Sequence, residues 1–170
     1  MTATLHQYAK STDPDILAAV TAYWEAVAAA RGNAIDFADK YGNGLGIYAG
    51  IRHGQYVASG IAGDRPEGHG QWKRLGHGWG PYKRNPIHAE HAALTVDLPP
   101  IPGLPKTVWG DGYIGSPQAF IHDGAAWYGI GFTPKPEYEA DPRWEEVRVS
   151  EYNAALDAHN ASVTTPKEKP

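Results

Sequence analysis

The strongest chemical feature of the sequence is a basic, aromatic stretch, GQWKRLGHGWGPYKRNP, at residues 70–86. Lysine and arginine can donate to phosphate, and an aromatic ring can stack on a base. Neighbouring glycines let the backbone approach a ligand closely or form an anion-binding nest. The stretch therefore predicts a site for a small anionic ligand such as a nucleotide. The residues of this predicted site are Trp72, Lys73, Arg74, His77, Trp79, Tyr82, Lys83 and Arg84.

The same residues fit a second interpretation, in which the aromatic rings anchor a long surface loop and the charges stay in water. Residues 63–84 have neither helical nor strand periodicity, and a connection of this length is usually functional or mobile. Asn85 and Pro86 suit the start of a helix, whose N-terminus favours anions. Both interpretations stay open from the sequence alone.

A pair of histidines, His88 and His91, raises the question of a metal site, because both rings can lie on one side of a helix with Glu90 nearby. A metal site needs at least a third ligand, and His-x-x-x-His is the stronger spacing. We favour the alternative that the pair lies on the exposed polar face of a surface helix. We therefore predict no metal and no cofactor, and we leave a metal- or His/carboxylate-dependent hydrolase acting on a nucleotide or phosphate ester as the enzymatic alternative.

The glycine and serine patterns match no specific catalytic motif. Gly42, Gly44 and Gly46 follow a predicted helix and precede a strand, the reverse of the context that a dinucleotide-binding loop requires. The sequence contains neither a Walker-type loop nor a Gly-x-Ser-x-Gly elbow. It also has no cysteine, which excludes disulfides, thiolate catalysis and cysteine-ligated metals. We predict no catalytic residue.

The charges are unevenly distributed along the chain. The formal net charge is −4, and residues 69–86 contribute four cations and no carboxylate. The acidic remainder disfavours binding to double-stranded nucleic acid, whereas a small anion can still approach the local basic stretch. The sequence shows no signal-peptide pattern and no apolar run long enough to span a membrane, so we expect a cytoplasmic protein with no membrane partner.

The elements that must position these residues predict an α+β domain over residues 1–162, followed by a disordered tail at residues 163–170. Helices lie at both ends, and short antiparallel strands and hairpins lie between them. Glycine and proline number 20 and 14, which predicts long loops rich in both. A cap at Ser150 predicts the start of the C-terminal helix.

At the N-terminus we expect a helical hairpin. Asp13 suits the cap of a first helix and Gly32 its end, while Asn33 suits the cap of a short second helix that ends at Gly42. Apolar residues at helical spacing place one face of the first helix against the core.

Two β-hairpins and one further helix are predicted in the rest of the chain. The first hairpin joins strands at residues 45–51 and 55–62. The second lies in residues 118–132, where Asp123-Gly124 is typical of a type I′ turn. The helix is expected in residues 85–96.

Several segments resemble small accessory proteins of tailed phages, a family of unknown function. In that family a Pro-Glu-Gly segment and a Trp-Lys pair precede a helix start that contains lysine or arginine, and Ser-Glu-Tyr begins the last helix. This sequence has two additional residues before the tryptophan. The resemblance implies expression in an infected bacterium and supplies no catalytic residue. The matching positions are Pro66, Glu67, Gly68, Trp72, Lys73, Ser150, Glu151 and Tyr152.

The resemblance implies a phage-encoded accessory protein in the host cytoplasm, and the lack of a catalytic motif predicts that it acts by binding, without catalysis. Its partner is expected to be a small anionic ligand, such as a nucleotide signal, or a host protein. A homo-oligomer is left open.

Overall fold

The computed structural model describes residues 3–42, 46–67 and 70–164. Within these ranges the chain forms three helices and eleven antiparallel strands, so the predicted α+β class is confirmed. The helices are α1 (Pro14–Tyr41), α2 (His88–Ala92) and α3 (Val149–Thr164). The strands are β1 (Tyr8–Ser11), β2 (Ile47–Arg52), β3 (Gln55–Ile61), β4 (Trp72–Arg74), β5 (Trp79–Pro81), β6 (Val96–Asp97), β7 (Val108–Gly110), β8 (Tyr113–Gly115), β9 (Gln118–His122), β10 (Ala125–Gly129) and β11 (Glu145–Glu146).

The chain folds as two compact units. One unit comprises Met1–Tyr23 and Pro99–Pro170, and we call it the terminal unit. The other comprises Trp24–Leu98, and we call it the central unit. The single domain over residues 1–162 stays a prediction. None of the described helices is long and apolar enough to cross a lipid bilayer.

The predicted N-terminal helical hairpin is wrong, because α1 is one continuous helix of 28 residues. Its start is as predicted: the Asp13 side chain accepts hydrogen bonds from the backbone N–H groups of Asp15 at 2.9 Å and Ile16 at 3.3 Å. Gly32 and Asn33, which were expected to separate two helices, lie inside α1.

A continuous buried stripe explains why α1 passes through Gly32. A glycine inside a helix costs only about 1 kcal/mol relative to alanine, and the buried positions recur at helical spacing on both sides of it. Burial of this stripe outweighs the local stop signal. The buried residues of the stripe in the central unit are Val27, Ala30, Ala34, Phe37 and Ala38.

The sheet of the central unit has the strand order β2-β3-β5-β4, with β6 paired to β3. The predicted β2–β3 hairpin is confirmed: His53 and Gly54 have φ angles of 49° and 79°, as a type I′ turn requires. The core beside this sheet is formed by Phe37, Ala58, Ile61, Trp72 and Leu94.

The region between β3 and the end of the unit differs from the sequence prediction. Residues 63–84 were expected to be a loop, yet they contain the antiparallel hairpin β4–β5. The helix expected over residues 85–96 shrinks to the five residues of α2, with Ile87 rather than Asn85 at its N-cap. The amide of Asn85 instead donates to the Gln71 carbonyl oxygen at 3.0 Å and accepts from the Ile87 N–H at 3.1 Å.

The terminal unit holds a sheet of order β11-β1-β10-β9 and the separate hairpin β7–β8. The predicted turn between β9 and β10 is confirmed, with φ angles of 54° and 77° at Asp123 and Gly124. Helix α3 packs on this sheet and begins at Val149, so Ser150 lies in its first turn and is not its cap. Residues 163–164 of the predicted tail belong to α3, and residues 165–170 lie outside the described residues.

Candidate functional site

The β4–β5 hairpin carries most of the predicted ligand site, and two glycines fix its position against β3. A β-carbon on Gly60 would lie 2.7 Å from the His77 carbonyl oxygen, and one on Gly78 would overlap the Ile61 carbonyl oxygen. Gly78 also has a φ of 87°, a conformation that glycine adopts without strain. These close backbone contacts place Trp79 opposite Ile61 in the ladder.

Trp72 anchors the hairpin to the core and is not available to a ligand. Its side chain is 4% exposed and packs in the same cluster as Phe37 and Ile61. Its indole N–H donates to the Glu67 carbonyl oxygen at 3.0 Å. This residue therefore follows the anchoring interpretation of the sequence, in which an aromatic ring pins the segment to the protein interior.

Trp79 is the centre of a first cation–aromatic cluster. The guanidinium carbons of Arg65 and Arg74 lie 5.4 and 5.2 Å from the centroid of its ring, within the range of cation–π attraction. The indole N–H donates to the Gly63 carbonyl oxygen at 2.9 Å, which fixes the ring orientation. Sequence reasoning missed Arg65, because it is 14 residues before Trp79 and only the contact of β3 with β5 brings the two together.

Tyr82 is the centre of a second cluster. The ammonium nitrogen of Lys73 lies 6.0 Å and the guanidinium carbon of Arg84 5.7 Å from its ring centroid. The ring is 38% exposed, and Tyr82, Lys83 and Arg84 line an open depression of about 300 Å³. Because successive side chains of a strand point to opposite faces, Lys73 and Arg74 lie on opposite faces of β4. The structure therefore divides the predicted site into two clusters.

Among the described residues, the cations of the two clusters have no carboxylate partner. The ion pairs in these ranges are Lys10–Glu151, Lys40–Glu90 and Arg143–Asp141, and none of them includes a cation of the hairpin region. These cations are therefore not engaged in ion pairs within the described residues, and each can donate to an anion from solution. These cations are Arg65, Lys73, Arg74, Lys83 and Arg84.

His77 lies apart from both clusters. Its ring is 5.8 Å from the ring of Tyr48, centroid to centroid. Together with Arg52 and Ser59 it lines a cleft of about 280 Å³ beside β2. The structure thus assigns this predicted site residue to a different surface.

Of the two histidines of α2, His91 is used in packing. The His91 ring lies 5.4 Å from that of Phe37, and its Nε2 atom is buried without a hydrogen-bond partner. Burial lowers the pKa of His91, as does the charge of His88, while a backbone hydrogen bond to Ser59 acts in the opposite direction. The described parts of the chain contain no group of three histidine or carboxylate side chains arranged to hold a metal ion.

Glu90 completes the packing of α2 rather than joining the histidines. Its carboxylate accepts a hydrogen bond from the Tyr41 hydroxyl at 2.9 Å and lies 3.8 Å from the Lys40 ammonium group. These contacts hold α2 against the end of α1 and give Glu90 and His91 structural roles.

Comparison of the chain with protein-family models, with curated proteins and with solved structures finds no match. A function must therefore be argued from the geometry and charge of the site itself. The resemblance to phage accessory proteins stays a prediction.

Proposed function

We propose that the protein binds a small, phosphate-rich anionic ligand at the β4–β5 hairpin and acts by binding, without catalysis. One observation carries the proposal: the cations of the two clusters have no carboxylate partner among the described residues, in a chain whose formal net charge is −4. A positive patch on an acidic protein draws anions selectively to one place. We further propose that the ligand is bound in the cytoplasm of an infected bacterium, as the resemblance to phage proteins implies.

The geometry favours recognition of phosphate over stacking of a base. Trp72 is buried, so it offers no face to a ligand. Cationic groups already lie over the rings of Trp79 and Tyr82, and a base could stack there only by displacing them. In these positions the aromatic rings orient the cations, and the cations are free to donate to phosphate oxygens.

Isothermal titration calorimetry with adenosine, AMP, ADP, ATP and pyrophosphate tests the proposal. We expect the affinity to rise with the number of phosphates, pyrophosphate to bind, and adenosine not to bind. Lys73→Gln and Arg74→Gln should each weaken ATP binding about tenfold, because each removes one hydrogen bond from a charged donor. Lys106→Gln, at an exposed lysine of the terminal unit, is the control and should leave the affinity unchanged.

The proposal is abandoned if no phosphate compound binds, if adenosine binds as well as ATP, or if Lys73→Gln and Arg74→Gln behave like Lys106→Gln. No particular contact supports the hydrolase alternative, which stays a prediction. Release of phosphate from ATP by the protein would support it.

A further inference from the structure

Strand β2 is a free edge of the central sheet. It pairs with β3 on one side, and none of the other described strands pairs with it. Four of its six residues are exposed, and its middle consists of the small residues Ala49 and Gly50. Proteins usually protect an edge of this length with lysine, proline or a covering element. The β-bulge at Tyr48 and Ala49 disturbs only its first half and leaves Gly50–Arg52 in regular register.

The backbone of β2 offers hydrogen bonds toward the open side. The pair that flanks a two-residue turn, here Arg52 and Gln55, exchanges both of its hydrogen bonds. The next pair, Ile51 and Tyr56, is therefore the non-hydrogen-bonded kind. The N–H and C=O groups of Ile51 consequently point away from β3 and are available for hydrogen bonds with a strand added on the open side.

Two clefts of similar size flank β2, one on each face of the sheet. The first, about 290 Å³, lies between α1 and β2; its apolar lining residues include Ala34, Ile35, Ala38, Ile47 and Tyr56, and it also holds one charge of each sign, on Arg31 and Asp39. The second, about 280 Å³, includes Tyr48, Gly50, Val57, Ser59 and His77 in its lining and holds one charged side chain, that of Arg52, so we call it the polar cleft. Side chains of a strand laid along β2 would alternate between these two clefts.

We infer that β2 binds an extended peptide segment of a partner protein as an additional strand, with apolar side chains in the α1-side cleft and acidic side chains facing Arg52 and His77. Strand addition of this kind takes its affinity from main-chain hydrogen bonds and its specificity from the pockets that receive alternate side chains. The acidic preference follows from charge, because Arg52 is the charged residue of the polar cleft and no carboxylate lines it among the described residues.

The polar cleft also distinguishes a peptide from a second copy of the chain. The sequence of β2, IYAGIR, contains no acidic side chain. A second copy paired through its own β2 would bring another arginine to the site and no carboxylate. The charge of the cleft therefore favours a partner segment of different sequence.

Selection from a displayed library of random 12-residue peptides on the wild-type protein tests the inference, and the enriched peptides are then titrated by fluorescence anisotropy. We expect their sequences to alternate apolar and acidic residues. Gly50→Glu should weaken the binding of these peptides about tenfold, because its carboxylate repels their acidic side chains. Gly50→Gln, whose side chain has the same shape without the charge, should leave their affinity unchanged. Both side chains have room, since a β-carbon at Gly50 meets nothing within 4 Å.

A backbone variant tests the strand pairing independently. Ile51→Pro removes the outward N–H group without removing a β2–β3 hydrogen bond and should abolish peptide binding, whereas Ile51→Val should preserve it. Near-ultraviolet circular dichroism checks that each variant is folded. If Ile51→Pro does not fold, the binding of peptides to Gly50→Glu tests the inference instead. Failure to enrich any peptide, or peptides that bind all variants equally, would overturn the inference. A wild-type dimer in light scattering that Ile51→Pro or Gly50→Glu converts to monomer would assign the edge to a second copy instead.

Discussion

The imidazole ring of His91 packs against Phe37, with its Nε2 atom buried and without a hydrogen-bond partner. Burial lowers its pKa below the ordinary value of 6.5. The unfolded chain therefore binds a proton at a higher pH than the folded protein does. The contribution of this group to stability is fully present above about pH 6.5 and is lost as the pH falls through the lowered pKa.

We expect His91→Gln to reduce the dependence of the melting temperature on pH below about pH 6.5, because the variant has no imidazole to protonate. Thermal unfolding followed by circular dichroism across this range measures the effect. Identical profiles for His91→Gln and wild type would show that His91 does not titrate in this window.

At the scale of elements, the β4–β5 hairpin depends on a backbone contact that only glycine permits. Gly78→Ala should lower the free energy of unfolding by about 2 kcal/mol or more, because a β-carbon would overlap the Ile61 carbonyl and a positive φ strains alanine. Gly76→Ala, two residues earlier, is the matched control, since a β-carbon there meets nothing within 4 Å. Urea denaturation compares them, and equal midpoints would contradict the prediction.

The elements also show how far local sequence signals reach. Both hairpins were predicted from short strand patterns on either side of a turn, and the type I′ turn was predicted at Asp123-Gly124. The end of a helix at Gly32 was predicted wrongly, because the stop signal is local and the buried stripe that overrides it is not. Strands of three residues such as β4 are too short for a periodic pattern, so their existence depends on pairing with a neighbouring strand, which for β4 is β5.

The candidate site follows the same division. The basic residues of the hairpin could be found from composition alone, because no acidic residue interrupts them. Their arrangement could not, since the burial of Trp72, the arrival of Arg65 at Trp79 and the separation of His77 all result from packing between distant segments.

At the scale of the whole molecule, the two units differ in net charge. The central unit holds 8 basic and 7 acidic side chains, and the terminal unit holds 7 and 12. Five of the 8 cations of the central unit are those of the hairpin region. Five of the 15 basic side chains of an acidic molecule are therefore concentrated in one short region, which suits a small anion better than a long polyanion.

We accordingly expect no saturable binding of a 20-base-pair DNA duplex below about 100 μM at about 150 mM salt, because most of the molecule repels its phosphates. Binding of ATP should weaken as salt rises from about 50 to 300 mM, as screening of exposed charges requires. Fluorescence anisotropy of a labelled duplex measures the first and calorimetry the second. Saturable binding of the duplex at low micromolar concentration would contradict this prediction and show that attraction by the basic hairpin outweighs repulsion by the acidic remainder.

The placement of Lys73 and Arg74 on opposite faces of β4 has a geometric consequence. In the described sheet, β4 is the outermost strand, so a ligand that contacts both side chains has to pass over its rim. Such a ligand is selected by the distance between its anionic groups. A single phosphate can contact one of the two side chains, and only a molecule with two separated charges can contact both.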